Sequence, residues 1–175
     1  MLRYLGKPSV TFAEFPDEVS LCLNISNCPG TCMHCSEPEL RQDVGISITE
    51  EVIDSLIETH PGITLFGFLG GDADHASILK FTKYIHAGHP ELKVGFYSGC
   101  NFLNLKLAKE LDYYKIGEFR MFEGEVETWK DQTAGPICLP TSNQIMFKRE
   151  DDHLVNITDK FRKVKVKDWR KTIIS

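Results

Sequence analysis

The residues best equipped for chemistry lie in one stretch, Cys28-Pro29-Gly30-Thr31-Cys32-Met33-His34-Cys35, where three thiols fall within eight positions. Pro29, Pro38 and Gly30 keep the segment out of regular helix or strand, so it is predicted to be a loop. Three thiolates on one loop can converge on a common point, as zinc or an iron–sulfur cluster requires. An Fe4S4 cluster held by three cysteines keeps one iron free of protein and open to a small molecule, whereas a fully ligated cluster mainly transfers electrons. Zinc would need a fourth ligand from His34, Cys100 or Cys138, and the second short-spaced pair usual in zinc sites is missing.

The chain must hold such a loop in place. At 175 residues it is long enough to bury a core without disulfide staples, and one domain over 1–161 is expected, followed by a basic tail at 162–175. Six cysteines in a chain of ordinary globular composition favour metal or redox chemistry in a reducing compartment. No apolar run is long enough to span a membrane, and the first residues lack a signal-peptide core, so a cytoplasmic location without membrane attachment is expected. A formal net charge of −5 argues against a general nucleic-acid binder. The C-terminal cluster of Lys160, Arg162, Lys163, Lys165, Lys167, Arg170 and Lys171 reads either as a solvated end or as an arm for an acidic protein surface.

Periodicity supplies the elements. Residues 10–15 alternate weakly as a strand, and 19–24 read as a core strand that runs into the cysteine loop and carries Cys22 as a small buried hydrophobe. Ser47-Ile48-Thr49-Glu50 has capping-box spacing before a helix bearing Val52, Ile53, Leu56 and Ile57. The continuous apolar run 64–69 suits a strand covered on both faces. A second helix begins at Asp72 or Asp74 and turns Ile78, Leu79, Thr82 and Ile85 inward. Strands at 93–97 and 113–117 flank a leucine-rich third helix, and 144–147 with 153–157 form a hairpin. Strand–helix alternation implies an α/β fold of mostly parallel strands with right-handed crossovers.

Three signals then share one rim. The cysteine loop follows the first core strand, Gly70-Gly71-Asp72 the second, and Ser98-Gly99 the third. Sites in parallel α/β folds form at the carboxyl ends of strands, where the loops converge. Each turn alone has a bland reading as a turn or helix cap; beside a thiol cluster, all three read as one composite site.

The spacing Cys28-x3-Cys32-x2-Cys35 resembles the signature of radical S-adenosylmethionine enzymes. More narrowly, Asn24 to Leu40, Phe68-Leu69-Gly70-Gly71-Asp72-Ala73-Asp74, Tyr97-Ser98-Gly99 and Thr141-Ser142-Asn143-Gln144 resemble the activating proteins of anaerobic ribonucleoside-triphosphate reductases. The resemblance implies a partial (β/α) barrel with a C-terminal hairpin. It also implies an Fe4S4 cluster on Cys28, Cys32 and Cys35, and S-adenosylmethionine at its open iron. Gly70, Gly71 and Asp72 would meet the methionine amino end, His34 the adenine, and Ser98 the ribose or carboxylate. The implied activity is reductive cleavage of S-adenosylmethionine and formation of a glycyl radical on the reductase large subunit. The electron would come from a low-potential donor such as flavodoxin or ferredoxin. The alternatives are a radical enzyme acting on another protein or a small molecule, and a non-enzymatic zinc or electron-transfer module.

Overall fold

A computed structural model describes residues 1–33, 35–120, 139, 141 and 143–160. The elements in chain order are β1 (Arg3–Thr11), β2 (Ser20–Ile25), β3 (Ile46–Ser47), α1 (Glu50–Thr59), β4 (Leu65–Leu69), α2 (His75–Gly88), β5 (Lys93–Tyr97), α3 (Leu105–Ala108), β6 (Tyr113–Ile116), β7 (Ile145–Glu150) and β8 (His153–Asn156). Short 3-10 turns occupy Pro38–Arg41 and Thr158–Lys160. Among the described residues, all eight strands join one sheet in the order β3-β1-β2-β4-β5-β6-β7-β8.

The expected parallel core is present as β2-β4-β5-β6. The sheet as a whole is mixed, however, which corrects the expectation of mostly parallel strands. β1 pairs antiparallel with β2 and β3, and β7 pairs antiparallel with β6 and β8. For the β1–β2 and β7–β8 pairs the physical reason is loop length. β1 reaches β2 through a short bend and β7 reaches β8 through a tight turn, and neither connection holds the crossover that a parallel pair requires. The C-terminal hairpin stands as expected, turning at Asp151, whose φ of 53° is left-handed.

Other boundaries shifted for identifiable reasons. The helix cap falls on Thr49, whose hydroxyl accepts from Val52 N at 3.3 Å, because Ser47 is taken up in β3 opposite Arg3. The second helix is capped by Asp74, which accepts from Ser77 N at 3.0 Å and Ser77 Oγ at 2.7 Å. α3 is a single turn, shorter than its leucine spacing implied, and Leu105 is exposed. The first strand begins at Arg3 and ends before Phe15, which leaves the sheet edge and turns inward. His34, Cys138, Ser142 and the basic tail lie outside the described residues.

The sheet is covered differently on its two faces. On one face Leu21, Leu23, Ile25, Phe66, Phe68, Val94, Phe96 and Tyr114 pack with Ile53 of α1 and Ile78, Phe81 and Ile85 of α2. The other face carries Cys22, Leu65, Tyr113 and Met146, and is plugged by Phe15. Phe15 is fully buried, its ring centroid 4.9 Å from that of Tyr97 and 5.6 Å from that of Tyr113. Space for it comes from Gly67 and Gly95, paired residues of β4 and β5. A Cβ on Gly95 would sit 2.4 Å from Phe15 Cε1, and one on Gly67 would sit 2.8 Å from Cε2. Glycine inside a strand often marks such a close approach.

Candidate iron–sulfur centre and its rim

Register brings the three candidate loops to one level. Asn24 of β2 lies opposite Leu69 of β4, and Leu69 opposite Tyr97 of β5, so the three strands end side by side. The loops that follow carry Cys28, Cys32 and Cys35, then Gly70, Gly71 and Asp72, then Ser98, Gly99 and Cys100. Among the described site candidates, the structure therefore gathers what the sequence spread over some seventy positions.

Backbone contacts fasten the cysteine loop at its base. Asn27 N donates to Gln42 O at 2.9 Å and Cys28 N to Leu40 O at 2.8 Å, with Asn27 in a left-handed conformation at φ 59°. Arg41 Nη2 donates to Cys32 O at 2.7 Å, a tie that no local pattern predicts. Gly30 N donates to Cys28 Sγ at 3.4 Å. A Cβ on Gly30 would meet Cys28 Sγ at 3.3 Å and Cys32 Sγ at 3.8 Å, so two of the thiols flank one glycine.

The electrostatics tie the loops together. Burial raises the Cys28 thiol above its ordinary value, the Gly30 N–H pulls it back, and negative charge at Asp72, Cys32 and Cys35 adds to the rise. Cys100 is likewise raised by burial first; the Ser98 hydroxyl opposes this, while Asp72 and Cys28 reinforce it. Mutual repulsion of this kind disfavours a bare set of thiolates, and a bound cation reverses it. Cys22 stands apart as expected, 2% exposed, its thiol raised chiefly by burial.

The Gly70-Gly71-Asp72 turn follows from backbone needs as much as from access. Gly70 and Gly71 have φ of 97° and 118°, conformations that favour glycine, and a Cβ on Gly71 would lie 2.9 Å from Ile78 Cδ1. Asp72 is not a helix cap. Its side chain is 7% exposed, and Oδ1 accepts from Ser98 Oγ at 2.6 Å while Oδ2 accepts from Gly99 N at 2.7 Å. His75 Nε2 lies 3.1 Å from Oδ1. Ser98 Oγ in turn accepts from Cys100 N at 3.0 Å. Asp72 thus braces the loop after β4 against the loop after β5.

Sequence reasoning missed several residues here. Asp72 and His75 share a short segment, but Asn104, which reaches His75, is 29 positions away and no spacing rule connects them. Phe15 did have a legible signal in the glycines of Leu65-Phe66-Gly67-Phe68-Leu69 and Lys93-Val94-Gly95-Phe96-Tyr97. Lys115, 7% exposed, places Nζ 4.2 Å from the centroid of the Tyr97 ring, beside the rim.

A soft three-sulfur donor set at the carboxyl edge of a parallel sheet core suits a metal centre in an α/β protein. Among the described residues no three His, Cys, Asp or Glu side chains stand together as a ready single-ion site. A cubane cluster is larger than one ion and draws on thiols set further apart. The family model described as a 4Fe-4S single cluster domain matches residues 18–147, most of the chain, so the protein belongs to that family of iron–sulfur cluster domains. Comparison with curated proteins and with solved structures returned no match. Among the described residues, no helix is long and apolar enough to cross a membrane.

Proposed function

We propose that this protein is a radical S-adenosylmethionine enzyme that activates a glycyl-radical reductase, the anaerobic ribonucleotide reductase large subunit. One observation supports the reading above others: the three-cysteine loop, the Gly-Gly-Asp turn and the Ser-Gly turn follow adjacent parallel strands that end at one level. In this reading β2, β4, β5 and β6 are the floor of a partial barrel. Cys28, Cys32 and Cys35 hold the Fe4S4 cluster and leave one iron without a protein ligand. When bound and reduced, the cluster supplies an electron for cleavage of S-adenosylmethionine to methionine and a 5′-deoxyadenosyl radical.

The chain's own residues bind, orient and shield. The three thiolates bind the cluster, and the charge repulsion felt by Cys28 is relieved when iron is present. Gly70 and Gly71 leave backbone unencumbered beside the rim, and Asp72 keeps Ser98 and Gly99 in a fixed relation to it. Phe15 closes the sheet face behind the rim and keeps water from that side. His34 remains the candidate for the adenine. A large protein partner closes over the rim, and a low-potential flavodoxin or ferredoxin supplies the electron.

The test is anaerobic reconstitution with iron and sulfide, reduction, and addition of S-adenosylmethionine. The expected products are 5′-deoxyadenosine and, with the reductase added, a glycyl-radical signal by electron paramagnetic resonance. Single replacement of Cys28, Cys32 or Cys35 by Ala abolishes cluster binding, while Cys22→Ala retains it. Loaded protein that never forms 5′-deoxyadenosine leaves electron transfer alone. Loss of iron in Cys22→Ala overturns the ligand assignment.

A further inference from the structure

His75 is held between two partners on opposite sides of its ring. Nε2 lies 3.1 Å from Asp72 Oδ1, and Nδ1 lies 3.0 Å from Asn104 Nδ2. The Asn104 amide is oriented independently of the histidine. Its Oδ1 caps α3, accepting from Lys106 N at 3.0 Å and Leu107 N at 3.5 Å, while its backbone N donates to Tyr114 Oη at 3.2 Å. With the amide oxygen committed to the helix, the NH2 group is what faces the imidazole, and it can only donate. Nδ1 must therefore accept, and a neutral ring carries its proton on Nε2, directed at Asp72. Phe96 meets the ring edge-on, with centroids 5.8 Å apart at 86°, and packs against it.

The consequence falls on Asp72. A carboxylate offers about four acceptor positions. Ser98 and His75 take two on Oδ1, and Gly99 takes one on Oδ2. Among the described residues, the remaining capacity meets the Cys100 thiol, a weak donor that an ammonium group would displace.

We propose that His75, held by Asn104 and Asp72 together as the Nε2–H tautomer, is a positioning residue that saturates Asp72 Oδ1 and so leaves Oδ2 as the acceptor for a cationic amine at the rim. The ligand half of this proposal rests on the reading of the site as an S-adenosylmethionine site; the tautomer half does not. Removing the His75 donor leaves a nearly buried carboxylate short of one partner and free to turn, which loosens Ser98 and Gly99 together.

Two measurements test it. Long-range 15N–1H spectra of the wild-type protein, recorded at about pH 8, should show the His75 ring proton on Nε2. A proton on Nδ1, or averaged tautomers, overturns the lock. Asp72 still accepts from Nε2 in Asn104→Ala, so the Nε2–H signal should persist there; Asn104→Ala combined with Asp72→Ala removes both partners and should release the ring into such an average, and an unchanged Nε2–H signal in that double variant also overturns it.

The second measurement is equilibrium dialysis of S-adenosylmethionine against cluster-loaded protein of matched iron content. His75→Gln puts an amide nitrogen near the place of Nε2 and keeps the donor to Asp72, while His75→Asn reaches only to the place of Nδ1. The expected result is that His75→Ala and His75→Asn weaken binding about tenfold, while His75→Gln stays within about twofold of wild type. If Gln is as weak as Ala, or if all three bind like wild type, the positioning role is refuted. A loaded wild-type protein that does not bind S-adenosylmethionine refutes the functional reading and the ligand half with it; the nitrogen spectra still decide the tautomer.

Discussion

Alanine at Gly95 should destabilise this protein, although the general expectation for such a change has the opposite sign. Gly95 lies within β5 and has no left-handed φ, so its backbone can accept a side chain. At a compatible site, Gly→Ala stabilises by about 0.4–1 kcal/mol through the unfolded chain. Here the new Cβ would lie 2.4 Å from Phe15 Cε1 and 2.5 Å from Cζ. That separation is far inside van der Waals contact, and Phe15 is wedged between Tyr97 and Tyr113 with no exposed surface to retreat to. Overpacking of this kind costs about 1–3 kcal/mol, which leaves a net loss of about 1–2 kcal/mol. Phe15→Leu removes the ring atoms that clash, so in that background Gly95→Ala should cost less than about 0.5 kcal/mol. The assay is urea unfolding by far-UV circular dichroism on all four members of the cycle, handled anaerobically at equal iron content. A stabilising Gly95→Ala, or the same cost in both backgrounds, refutes the assignment of Phe15 as the plug of the second sheet face.

Two further outcomes rest on other parts of the structure. Asp74→Ala removes the cap of α2, which accepts from both Ser77 N and Ser77 Oγ, and should lower stability by about 1 kcal/mol in the same urea assay; Asp74→Asn should recover most of it. Tyr84 and Asp54 share a 2.6 Å hydrogen bond that raises the phenol to about 12 and holds the Asp54 carboxyl below its ordinary value. The phenol's contribution to stability is therefore complete below its unfolded value near 10 and is lost as pH rises through about 12. The carboxylate's contribution is present above its ordinary value and is lost as pH falls through the lowered one. In Asp54→Ala, NMR titration of the tyrosine ring carbons should find Tyr84 back near 10; an unmoved Tyr84 would show that another neighbour sets it.

Much of the site was legible because its chemistry is local. Three cysteines on a proline- and glycine-broken loop announce a metal centre without knowledge of the fold. Alternating strands and helices imply that the turns after successive strands meet. The antiparallel flanks were less legible, since weak alternation does not state which way a flanking strand runs. Helix starts drifted where two hydroxyls or two carboxylates competed for one cap, as at Ser47 and Thr49 or Asp72 and Asp74.

The sequence by itself determined the thiol-rich loop, the parallel core and the two glycine turns, because each depends on residue type at short range. Only the tertiary structure decided what Asp72 does. Its type and position suit a helix cap or a free acceptor equally well. Its partners Ser98, Gly99 and His75 are assembled by strand register and by α2, and Asn104 is added through the cap of α3. The placement of Phe15 is similar. A buried ring in the bend between β1 and β2 becomes intelligible once Gly67 and Gly95 are known to be paired neighbours across β4 and β5. In both cases the deciding quantity is a distance between segments remote in sequence, which local pattern does not encode.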